Sequence, residues 1–90
     1  MKYNVDVGFK EGDVVYHVKH VNKKFKVHKM DEIEEGGNFH DGYEEKHYAY
    51  LEDLETHLIE RCQVAFFNLM CQIKNIYFVK YEEEKQEQKS

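Results

Sequence analysis

The chain has 90 residues, a net charge of −5 and 41 % apolar residues, enough for one small domain whose burial on folding is only moderately complete. Its single serine, Ser90, and single threonine, Thr56, exclude serine-hydrolase chemistry, and its longest apolar run, Val64 to Phe67, is far short of the about 20 residues a bilayer requires. Residues 1–6 lack the apolar segment of a secretory signal, so a cytoplasmic chain is expected, with Cys62 and Cys71 as reduced thiols.

Tyr3, Val5, Val7 and Phe9 alternate with polar residues or glycine, the period-two pattern of a strand with one buried face. Glu11-Gly12-Asp13 turns the chain into a second strand, with Val14, Tyr16 and Val18 on one face and Val15 and Val21 on the other. Asn22-Lys23-Lys24 is read as the connection to a third strand, Phe25 to Met30. Residues 31–42 form an acidic, then glycine-rich loop. Tyr43 to Tyr50 resumes alternation, with Tyr48 and Tyr50 on one face and His47 and Ala49 near the other.

No proline occurs, and no glycine follows Gly42. Leu51, Leu54, Leu58, Cys62, Ala65, Leu69 and Ile73 recur at helical spacing, and the acids Glu52, Asp53 and Glu55 suit a helix N-terminus. A helix from about residue 52 to Lys74 is therefore expected. Ile76 to Tyr81, rich in β-branched and aromatic residues, reads as a last strand; the alternative continues the helix to Tyr81. Residues 82–90 are a charged tail without core-forming residues. The fold expected for residues 1–81 is a single α+β domain, an antiparallel sheet of four to five strands packed against one long C-terminal helix.

On that helix Val64, Phe67 and Cys71 lie opposite the core stripe, so they are the expected partner or oligomer interface, most simply that of a dimer. Asn38, Phe39 and His40, within a glycine-rich loop, form a candidate binding loop. Charge is segregated. Five lysines and no acid lie between His17 and Met30, and eleven acids against one lysine lie from Asp31 to Glu60. The two segments are expected to attract each other within the fold, while Lys19, Lys23, Lys24 and Lys26 are candidate nucleic-acid contacts.

No metal or cofactor site is expected. His17 and His20 have H-x-x-H spacing but would converge only on a turn or bulge, and residues 31–42 lack the oxygen ligands of a calcium loop at Ile33 and Gly42. His57 and Cys62 would be poorly placed as a catalytic pair on one helix.

Phe9-Lys10-Glu11-Gly12-Asp13-Val14-Val15-Tyr16 resembles the opening of small SH3-like barrel domains, where a glycine-aspartate turn launches a strand of alternating valine and tyrosine. The short, acidic, proline-free chain also resembles small accessory proteins of bacteriophages and mobile elements, including anti-CRISPR and other anti-defence inhibitors. That resemblance implies a non-enzymatic protein-binding module that inhibits a host enzyme, a host nuclease complex being the partner of that kind. The alternative function is a nucleic-acid-binding regulator using the basic segment 17–30.

Overall fold

The computed structural model describes residues 5–37 and 42–82, and among them every regular element is a strand. In chain order these are β1 (Val14–His17), β2 (His20–Met30), β3 (Glu34–Gly36), β4 (Glu44–Asp53), β5 (Ile59–Asn68), β6 (Ile73–Ile76) and β7 (Phe78–Lys80). They form one antiparallel sheet in the order β6-β5-β4-β2-β1-β7, with β3 also paired to β4.

The two ends of that order are consecutive in the chain. Ile76 pairs with Ala65 on β5, and Phe78 pairs with His17 on β1. Between them, the Tyr77 amide donates to the Val64 carbonyl and its own carbonyl accepts from the Val18 amide, each at 3.0 Å. The last strand thus leaves β5 and joins β1 at one residue, closing the sheet around its core. Phe9, Val15, Val27, Ala49, Leu51, Val64 and Phe78 fill the interior.

The expected α+β fold is therefore corrected to an all-β one, and the long C-terminal helix is replaced by the end of β4, all of β5 and β6 and the turns between them. The first turn needs neither glycine nor proline. The Asp53 side chain accepts from the Glu55 and Thr56 amides at 2.8 and 3.4 Å, the His57 amide donates to the Asp53 carbonyl, and His57 takes the left-handed φ of 66° that histidine tolerates better than most residues. In the second turn Asn68 accepts from the Cys71 amide at 3.0 Å and Gln72 has a φ of 59°.

One step of the helical spacing, from Cys62 to Ala65, comes from a bulge in β5; Leu54, Leu58 and Ile73 fit it only in sequence, since they are exposed. His47 pairs with Ala65 and Tyr48 with Gln63, which leaves Val64 as the extra residue. Cys62 and Val64 line the core on one side of the bulge, and Ala65 and Phe67 are buried on the other. A two-one-two spacing of inward residues imitates the three-residue step of a helix face.

Smaller differences have similar causes. Residues 5–9 are not a strand although Phe9 is buried, the β1–β2 turn falls at Val18 and Lys19, and residues 22–24 lie inside β2. The expected strand from Ile76 to Tyr81 overlaps β7 and only the last residue of β6, with Tyr77 between the two.

Candidate functional site

β4 shows why particular side chains reach the surface. Its alternation buries Glu45, His47, Ala49 and Leu51 and turns Lys46, Tyr48 and Tyr50 outward. Where β4 ends, the turn to β5 carries three large apolar side chains into solvent: Leu54, Leu58 and Ile59 are 39 %, 62 % and 52 % exposed. Leu58 also borders a cavity of about 90 Å³ whose floor is Leu51, Phe25 and Cys62, so the apolar tip is continuous with the open end of the core. Acids surround it. Asp53, Glu55 and Glu60 lie within the same turn or the strand residues beside it.

The tip is held against β2. Glu52 accepts from His28 Nε2 at 2.6 Å and from His57 Nδ1 at 2.8 Å, and these two contacts hold its carboxyl below the usual carboxylate range. Lys23 reaches Asp53 at 2.9 Å, which lowers the Asp53 pKa and raises that of Lys23. Burial, with a smaller effect of Glu60, pushes the Cys62 thiol up, so this thiol is kept protonated.

The basic segment forms a different surface. Lys24 and Lys26 lie on the outer face of β2, opposite Tyr16 and Val14 of β1. The Lys24 ammonium sits 4.7 Å from the centre of the Tyr81 ring, which meets the Tyr16 ring edge-on at 6.5 Å. Tyr16, Val21, Lys80, Tyr81 and Glu82 border an open groove of about 440 Å³. Arg61 belongs elsewhere: it binds Asp31 at 2.6 Å and Glu34 at 3.0 Å and lies 3.9 Å over the Tyr48 ring.

A third constellation is internal. Glu45 has no solvent exposure; its Oε2 accepts from the Tyr43 hydroxyl at 3.0 Å, and its Oε1 contacts His47 Nε2 at 2.8 Å and the Val5 amide at 3.2 Å. The His47 ring is edge-on to Phe67 at 5.2 Å. Burial first, then the carboxylates of Glu45 and Glu35, pushes the Tyr43 phenol well above its ordinary value.

Of the residues expected to form an interface, Val64 is 0 % and Phe67 is 1 % exposed, inside the sheet, and Cys71 is exposed in the β5–β6 turn; the three do not share a face. Asn38, Phe39 and His40 lie outside the described residues. Of the candidate nucleic-acid lysines, Lys24 and Lys26 share an outer face, Lys23 is engaged by Asp53, and Lys19 stands at the β1–β2 turn. His17 and His20 do converge across that turn, with ring centres 5.2 Å apart, but no group of three metal-ligating side chains forms among the described residues. Burial, aided by His20 and Lys19, lowers the His17 pKa. The apolar tip was hidden from sequence reasoning because its leucines fit the helix stripe. The Glu45–His47 pair could have been found, since both share the parity of Ala49 and Leu51.

No protein-family model matches the chain, and no curated protein or solved structure matches it at a significant level. Among the described residues no helix is long and apolar enough to cross a membrane.

Proposed function

We propose that the protein is a non-enzymatic protein-binding module whose contact surface is the β4–β5 tip. The observation that carries this reading is the group Leu54, Leu58 and Ile59, three exposed aliphatic side chains fixed on a turn and ringed by acids. Such a tip suits an apolar recess with a basic rim, as on a nucleic-acid-handling enzyme, and inhibition of a host defence enzyme is the form of the reading that follows. The Tyr43–Glu45–His47 group supports a binding rather than a catalytic role, because its members bond one another inside the sheet. A β1 strand launched from the Gly12–Asp13 turn supports the SH3-like part of the resemblance.

A photo-crosslinking residue at Glu55 tests the proposal in cells. One partner protein should be captured, and Leu58→Asp/Ile59→Asp should abolish capture while leaving the thermal midpoint near that of the wild type. Equal capture by the double variant would overturn it. Cross-links only between two copies of the chain would reassign the tip to self-association.

A further inference from the structure

The outer face of β1, β2 and β7 combines positive charge with aromatic rings, whereas the tip combines apolar side chains with acids. Tyr16 and Lys24 are cross-strand partners, as are Tyr16 and Val79, so one row across the three strands reads lysine, tyrosine, valine. In the next row Lys26 faces Val14, whose carbonyl accepts from the Tyr81 amide at 2.8 Å. Lys24 and Lys26, two residues apart on one strand, project from the same side about 6.6 Å from each other.

These lysines are not used up by the fold. Lys26 enters no ion pair among the described residues, and the contact of Lys24 is with the Tyr81 ring rather than a carboxylate. Lys80 is not one of them: it pairs with buried Val15 on β1 and turns to the other side, 3.9 Å from Asp13. Tyr81 remains 39 % exposed despite its contacts with Lys24 and Tyr16. A phenol ring left open beside free ammonium groups can stack a planar group and place a neighbouring negative charge on lysine.

We infer that this face binds single-stranded nucleic acid, with bases stacking at Tyr81 and Tyr16 and the phosphates running along Lys24 and Lys26. A single strand is favoured over a duplex for two reasons. Stacking on a protein ring needs bases released from their own stack. The chain's one arginine, the residue best shaped for guanine in a duplex groove, is held by Asp31 and Glu34. The net charge of −5, and Glu82 at the groove itself, oppose long-range attraction, so binding is local and strongly salt-sensitive. With two phosphate contacts, a tenfold rise in salt weakens it about 25-fold.

Fluorescence anisotropy of labelled oligouridylate and oligothymidylate at low salt tests the proposal. The full chain should bind both; Tyr81→Ala should weaken binding about tenfold or more, and Lys24→Glu/Lys26→Glu should abolish it. Lys74→Glu on β6 and Leu58→Asp/Ile59→Asp at the tip should leave it unchanged, which keeps this face separate from the proposed protein contact. Tyr81→Leu keeps the bulk and removes the ring, so it should weaken binding like Tyr81→Ala if stacking is the cause. Absence of binding at low salt overturns the proposal. So does binding that Tyr81→Leu leaves intact, or equal competition by polyglutamate, which would assign the face to an acidic protein segment.

Discussion

A carboxylate removed from solvent must find its hydrogen bonds inside the protein, and Glu45 finds them in Tyr43, His47 and the Val5 amide. Removing one partner of such a buried pair costs more than the pair itself contributes, because the other is left without compensation. His47→Leu should therefore destabilise the protein by about 1–3 kcal/mol through the hydrogen bond it removes from buried Glu45, and Glu45→Gln by less, since the amide keeps the shape and some of the bonds. Urea unfolding of both single variants and the double variant would show it; additive losses would mean that the pair is not energetically coupled. Phe67 is the apolar wall of the same group. On a helix face Phe67→Glu would release a soluble monomer, but a charge placed beside His47 at a 1 % exposed position should unfold the domain. Loss of the cooperative transition in circular dichroism is the expected outcome, and a folded monomer would contradict the burial of Phe67.

At the scale of elements, the legible parts of the sequence were those where alternation continued without a fault. The β1 strand, the inner and outer faces of β4 and a strand near residues 76–81 could all be read from period two. The Val64 bulge changed the phase of β5, and Asp53 and Asn68 built turns that a search for glycine and proline overlooks. The same misreading moved the functional argument: Val64 and Phe67 were assigned to a surface because a helix wheel has a far side, whereas a bulged strand has both residues inside. Lys24 and Lys26 were legible only as part of a basic segment, because residues 22–24 were read as a connection and not as strand. Gln72 marks the second turn as strained. A left-handed conformation costs a non-glycine residue about 1–2 kcal/mol, partly offset by the greater freedom glycine has when unfolded. Gln72→Gly should consequently raise stability by up to about 1 kcal/mol, measured as a higher urea midpoint with an unchanged slope. A lower midpoint would show that the Gln72 side chain contributes more than its backbone costs.

At the scale of the whole molecule, closure depends on one peptide unit. Tyr77 donates to β5 and accepts from β1, so Tyr77→Pro deletes the bond to the Val64 carbonyl while proline's fixed φ still permits an extended chain. A loss of about 2–4 kcal/mol is expected, from the missing bond and the buried acceptor it leaves. Hydrogen exchange on this variant should show faster exchange in β6 and β7 than in the β4–β5 hairpin; uniform acceleration would mean that closure is no weaker than the rest of the sheet.

The charges that join distant elements make stability depend on pH at both ends. Asp31 is held down by Arg61, Asp53 by Lys23, and Glu52 by His28 and His57, each contact linking different strands or the segments beside them. Groups whose pKa is lowered by folding bind fewer protons in the folded state, so their stabilisation is present above about pH 4 and is lost as pH falls through their folded values. Tyr43, raised by burial and by Glu45, and Lys23, raised by Asp53, act in the opposite sense. Their stabilisation is complete below about pH 10 and is lost as pH rises past it. His17, lowered by burial, adds a loss that begins as pH falls below about 6.5, so urea midpoints should form a plateau between about pH 7 and 9 and fall on either side. Tyr43→Phe should lower the plateau, because Glu45 loses a donor, yet flatten the alkaline fall to the part due to Lys23 and the raised Cys62 thiol. Asp53→Asn should reduce the acid slope without changing the Tyr43 contribution. An alkaline fall as steep in Tyr43→Phe as in the wild type would show that the buried phenol does not govern that limb, and would leave it to Lys23 and Cys62.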